Sequence, residues 1–111
     1  MTSKAKSGLE VWTTERCYIT ELLNSDSQPE VSIARTRVEP GVTTQLHQLS
    51  VFEWYIIESG QGLMRVGDET PVSVGPGDTI AIPKHAAQQI TNTGQEDLIF
   101  LCVCTPRFLQ D

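Results

Sequence analysis

Apolar and polar positions alternate along this chain in short runs. The segments "LEVWTT", "RCYITELL", "EVSIARTRV", "TTQLHQLS", "FEWYIIES", "GLMRVG", "TPVSV", "DTIAI", "AQQIT" and "DLIFLCVCT" carry most of the Val, Ile, Thr and aromatic residues. Between them stand the breakers "NSDSQP", "EPG", "SGQG", "GDE", "GPGD", "PKH" and "NTGQE". β-branched and aromatic residues favour pleated strands, whereas Gly, Pro, Asn and Asp favour reversals, so the pattern predicts about ten strands. No stretch of a dozen residues keeps a helical period with a cap at each end. That many strands in so short a chain curl or split into two layers, which predicts an all-β antiparallel sandwich or barrel.

Period two assigns faces. His47 and Leu49 share one face, Glu53, Tyr55 and Ile57 share another, and Gln88 and Ile90 a third. Trp54 must point away from Glu53, toward the outer layer. Met64 and Val66 alternate with Arg65 and read as core. Arg35 and Arg37 share a face with Val31 and Ile33. One of them could line a pocket and pair with a substrate carboxylate; the favoured reading is a surface or interface face. Arg107 and Lys84 read as isolated solvated charges. The glycines at 41, 60, 62, 75 and 77 suit turns with positive φ or tight reversals.

Length and charge narrow the function classes. With 111 residues the chain is expected to form one domain over 1–111, burying roughly 65% of its unfolded surface. A net charge of −6 with only eight Lys and Arg argues against nucleic acid as a partner. No apolar run approaches the roughly 18 residues of a membrane span, and "MTSKAKSGLE" lacks the apolar segment of a signal peptide. The expectation is a cytoplasmic protein with no membrane partner. Cys17, Cys102 and Cys104 form no disulfide framework, being odd in number with two as close neighbours, and are read as core.

The segment "GVTTQLHQLSVFEWYIIESG" resembles the first motif of the cupin superfamily, G-x5-H-x-H-x3-E-x6-G, through Gly41, His47, Glu53 and Gly60. Leu49 stands in place of its second histidine. "GDTIAIPKHAAQQITN" resembles the second motif, G-x5-P-x-G-x2-H-x3-N, through Gly77, Pro83 and Asn92. There His85 replaces a glycine and Gln88 replaces a metal-binding histidine. The resemblance spans about residues 31–105. It implies a double-stranded β-helix, a jelly-roll barrel with a pocket inside one end, and in cupins a divalent ion held there by three histidines and a glutamate.

The departures change the expected chemistry. His47, Glu53 and Gln88 are the retained candidates for a metal, and they offer one imidazole and two oxygen donors. Such a set implies a weakly held Zn, Ni, Fe or Mn ion, or none. His85, three residues before Gln88, is placed at the pocket rim. Without an ion, His47, Glu53 and Gln88 could satisfy one another by hydrogen bonds, and burial would raise the pKa of Glu53 toward the range of a general acid or base. Glu53 and Tyr55 are therefore the catalytic candidates, with Leu49, Ile57, Met64, His85 and Ile90 on the pocket wall. Three readings follow. The first is a small-molecule enzyme, of isomerase or lyase rather than oxygenase type; the second a ligand-binding or sensor module; the third a structural barrel. A two-fold homodimer is expected, with the N-terminal strands of residues 9–23 available to the interface.

Overall fold

The computed structural model describes residues 2–109. Nine strands follow one another: β1 (Val11–Trp12), β2 (Tyr18–Leu23), β3 (Ser32–Val38), β4 (Phe52–Ser59), β5 (Gly62–Val66), β6 (Val72–Val74), β7 (Thr79–Ile82), β8 (Gln88–Asn92) and β9 (Leu98–Thr105). All named pairings are antiparallel, and no helix occurs among the described residues. Six strands form one sheet in the order β1-β2-β3-β9-β4-β7, and three form a second in the order β6-β5-β8. The fold is an all-β, two-sheet antiparallel jelly roll, as the strand pattern and motifs anticipated.

Alternation puts Ile57 on β4, Met64 on β5, Ile82 on β7, Ile90 on β8 and Phe100 on β9 into one buried cluster. Burying each such side chain contributes about 1.5–3 kcal/mol. Asn92, the motif asparagine, is also buried. Its amide donates to the carbonyls of Val38 (2.9 Å) and Glu96 (2.8 Å), and its oxygen accepts the Gly94 N–H at 2.9 Å. It ties three chain segments together.

The turn chemistry follows the motifs. Gly60 has φ +90°, and a Cβ there would meet the Asp97 carbonyl oxygen at 2.6 Å, so no larger residue fits. His85 occupies the place of the second motif's glycine and has φ 66°, the left-handed conformation that glycine ordinarily supplies. Its side chain is exposed.

One expected strand does not form. Residues 43–50 run beside β8 but touch its ladder only at two isolated bridges, Thr43 with Thr91 and His47 with Gln88. Elsewhere the segment's backbone bonds irregularly, as when Gln45 N–H donates to Glu15 O at 3.0 Å. No helix of the described residues is long and apolar enough to cross a membrane.

Candidate active-site cavity

A cavity of about 100 Å³ lies against the inner face of the six-stranded sheet. It exists because β3 turns small side chains inward. Ser32, Ala34 and Thr36 stand opposite Cys104, Cys102 and Phe100 of β9. Cys104 and Cys102 in turn stand opposite Glu53 and Tyr55 of β4. Three adjacent strands thus present one row each: small and polar, thiol and aromatic, carboxyl and phenol. His47 and Leu49 cover this floor from the irregular segment, and Phe108 of the C-terminal tail lines another side. The tail is fixed by the Phe108 N–H donating to Ser32 Oγ (2.9 Å) and Asn24 Nδ2 donating to the Phe108 carbonyl (2.8 Å). Arg107, expected to be a free solvated charge, donates from Nε to Asn24 Oδ1 at 2.6 Å.

Glu53 is only 6% exposed. Its Oε2 accepts a weak hydrogen bond from the Cys104 thiol at 3.6 Å, while Oε1 has no partner. Burial pushes the Glu53 pKa up; the Gln88 amide, the Cys104 thiol and His47 pull it partly back, and Glu15 adds to the rise. The Gln88 amide nitrogen is likewise buried without a hydrogen bond of acceptable geometry, though near enough to act on the carboxyl. The Gln88 oxygen accepts the Tyr55 hydroxyl at 2.5 Å. This orientation turns an N–H, not a second oxygen, to the carboxyl's side.

Burial also pushes the Tyr55 phenol well up, with the Glu53 charge adding to it. The Cys104 thiol is pushed up to about 12 by burial and then by Glu53, so it stands as a protonated donor. His47 Nδ1 lies 2.8 Å from the Gln45 carbonyl, which can only accept, so Nδ1 carries a hydrogen. Its Nε2 lies 3.5 Å from Glu15.

The residues present do not make a tight divalent-metal centre. The Gln88 oxygen, its one atom able to ligate a cation and a weak neutral donor, already accepts the Tyr55 hydroxyl. Leu49 lines the cavity with an apolar side chain. Among the described residues, no three His, Cys, Asp or Glu side chains assemble as a metal-binding group. His47 and Glu53 remain as one nitrogen and one oxygen donor, a set that holds such ions weakly.

Several expected wall residues lie elsewhere. Ile57, Met64 and Ile90 are buried in the core cluster and do not line the cavity. His85 is exposed in the turn after β7, its backbone N–H donating to the Leu49 carbonyl at 2.7 Å. Gln88 is fully buried behind Tyr55. Arg35 and Arg37 point out of the barrel. Arg35 pairs with Glu58 at 2.9 Å, and Arg37 with Glu10 at 2.9 Å and Asp97 at 3.2 Å. All three cysteines line the cavity, and Cys17 and Cys104 are also buried in the core as read. The i,i+2 spacing of Cys102 and Cys104 with Phe100 carried that signal, since the three share a face.

Comparison with known proteins agrees with the geometry. A search of proteins with curated function gives no match. Among solved structures, a predicted oxalate decarboxylase from Thermotoga maritima is 28% identical, over 81% of this chain and 80% of that one, with a TM-score of 0.73. KdgF from a Halomonas species superposes with a TM-score of 0.79 at 14% identity, over 91% and 88% of the two chains. A conserved-barrel protein from Salinispora arenicola gives a TM-score of 0.72 at 18% identity, over 82% and 76%. The two lower identities speak to the fold alone. The cupin-domain family model matches residues 34–104, well over half of the sequence, and the chain belongs to the cupin family.

Proposed function

We propose that this barrel takes a small polar molecule into its cavity and moves a proton on it through Glu53, as an isomerase or lyase that does not depend on a tightly held metal. The observation that carries the reading is a buried carboxyl on the wall of a cavity, Glu53, whose Oε2 accepts only a weak hydrogen bond from the Cys104 thiol. A buried carboxyl short of hydrogen-bond partners costs about 1–3 kcal/mol, so a ligand that donates to its cavity side offsets part of that cost. A carboxyl whose pKa burial has raised sits nearer neutrality, where general acid–base exchange is most effective. Tyr55, neutral and fixed on Gln88, orients the wall beside it.

Oxalate decarboxylation is not carried over from the Thermotoga relative. A dianion would meet Glu15, Glu21 and Glu53 and no lysine or arginine on this wall. The test is solvent exchange: three- and four-carbon carbonyl compounds in D₂O, followed by NMR for loss of the C–H signal beside the carbonyl. Exchange by the wild type that Glu53→Gln abolishes supports the reading. Equal exchange by both proteins defeats it. Saturable binding without exchange would leave a ligand-binding or sensor barrel instead.

We also propose a two-fold homodimer in the cytoplasm. Leu9 and Trp12, 88% and 55% exposed, lie on the N-terminal segment at the open edge of the larger sheet. Apolar edge strands are commonly covered by a symmetric copy. Three free thiols suit a reducing compartment. Light scattering should give twice the chain mass, and Trp12→Ser should shift it toward the monomer. A monomer mass for the wild type would contradict the dimer.

A further inference from the structure

The central strands β4 and β9 are largely apolar on both faces. Their inward side chains belong to the core and the cavity wall. Outward they present Phe52, Trp54 and Ile56 on β4 and Ile99, Leu101 and Val103 on β9, all half-buried. Register sets these side by side. Ile33, Val103, Trp54 and Ala81 form one row across the sheet, and Arg35, Leu101, Ile56 and Thr79 form the next. A further row runs through Trp12, Tyr18, Arg37 and Ile99, so the exposed Trp12 lies on the same face. Antiparallel sheets with one face in water ordinarily turn polar residues outward, whereas strands apolar on both sides are covered on both. The smaller sheet keeps the ordinary pattern, with Leu63, Arg65, Gln89 and Thr91 on its outer side.

Resting on the homodimer reading above, we propose that the second copy packs face to face on this outer surface of the six-stranded sheet, with Leu101 and Val103 at the centre. The surface has the anatomy of a protein interface, an apolar and aromatic middle with charges at its rim. The strands from β2 to β7, about 4.8 Å apart and averaging roughly 22 Å long, spread on the order of 500 Å² before side-chain relief is added. Apolar surface on this scale marks an interaction site on a monomer, and a standard interface buries about 800 Å² per partner. Packed sheets match their twists and lie about 10 Å apart, a requirement that a copy of the same sheet meets. The rim charges fit a copy as well. Arg35 on β3 and Glu58 on β4 reach each other at 2.9 Å across β9. A two-fold axis along β9 carries β3 of one copy over β4 of the other, so Arg35 meets the partner's Glu58 as well as its own. A lipid surface would instead call for a basic rim, and here Arg35 and Arg37 are both paired with carboxylates on a chain of net charge −6.

The test uses the full chain in solution. Sedimentation velocity should give a dimer for the wild type and a dissociation constant at least ~100-fold weaker for Leu101→Lys, which places two unpaired ammonium groups at the centre. Trp12→Ser, at the margin of the face, should weaken the dimer less. A second measurement needs no variant and so holds even where Leu101→Lys fails to fold. In a dimer mixed from ¹³C-labelled and unlabelled chains, isotope-filtered NMR should show contacts between copies from the methyls of Ile56, Leu101 and Val103. A dimer without those contacts, or one that Trp12→Ser breaks and Leu101→Lys leaves intact, would overturn the proposal while the homodimer stands. A monomeric wild type would overturn both, and its flotation with neutral phosphatidylcholine vesicles would assign the face to a lipid surface instead.

Discussion

The two faces of β3 treat charge in opposite ways. On the outer face Arg35 and Arg37 each meet carboxylates, and Arg37 also lies 4.0 Å from the Tyr18 ring centroid. Every one of these charges keeps contact with solvent, and such pairs contribute little because water already solvates their members. On the inner face Ser32, Ala34 and Thr36 leave a space into which Glu53 projects from β4, and among the described residues no lysine or arginine lines it. The outer face shows how carboxylates are settled when only stability is at stake. The inner face leaves one unsettled, and that difference supports the proposed site.

The largest break of this contrast is to furnish the inner face with donors. Leu49→His together with Gln88→His would put three imidazoles beside Glu53, a set suited to Ni²⁺, Zn²⁺ or Fe²⁺. Titration calorimetry should show affinity rising by orders of magnitude over the wild type, with each single variant between. The apo double variant should lose stability, because a polar ring replaces apolar Leu49, and regain it with metal. Equal, tight binding by all four proteins would mean that His47 and Glu53 already suffice. Next in size is the cavity wall itself. Phe100 is 1% exposed and stacks on Tyr55 with ring centroids 4.4 Å apart. Phe100→Ala should cost about 3–5 kcal/mol in urea unfolding.

The contrast also predicts opposite pH behaviour. Burial holds the Glu53 pKa above its ordinary value, so the folded state binds this proton more tightly than the unfolded chain does. Its contribution is therefore full below the ordinary glutamate pKa and is lost as pH rises through the raised value, by at most about 1.4 kcal/mol per pH unit. Glu53→Gln should flatten that slope and exceed the wild type in stability at the upper end. The smallest effect belongs outside. Arg35→Ala should change stability by no more than about 0.5 kcal/mol, and salt should shrink the difference further.

How much of this could be read from the chain depends on what period two does and does not encode. The inward row of β4, Glu53–Tyr55–Ile57, followed directly from alternation. Gly41, Gly60 and Gly77, the motif glycines, all adopt positive φ as turn positions should. Alternation also put Arg35 and Arg37 on one face without saying which. Apolar Val31 and Ile33 share their parity, whereas the cavity needed small Ser32, Ala34 and Thr36 inside. Residues 43–50 alternate well enough for a strand, yet their backbone groups find partners at two bridges and in loops. The cysteines were legible as a row but not as a wall, because that depends on β9 lying between β3 and β4, a non-local pairing. Gln88 could be placed by motif. Only the fold shows its oxygen accepting the Tyr55 hydroxyl.

The direct test of the central claim compares two glutamates in one experiment. A ¹³C NMR titration of the side-chain carboxyls reads Glu53 on the inner face against Glu10 on the outer. The Arg37 hydrogen bond holds the Glu10 pKa below its ordinary value, and burial holds that of Glu53 above it. Glu53 is expected to titrate at the higher pH and above an ordinary glutamate. A Glu53 midpoint at or below that of Glu10 would mean that its charge is already satisfied within the barrel, contradicting the buried, poorly hydrogen-bonded carboxyl on which the proposed chemistry rests.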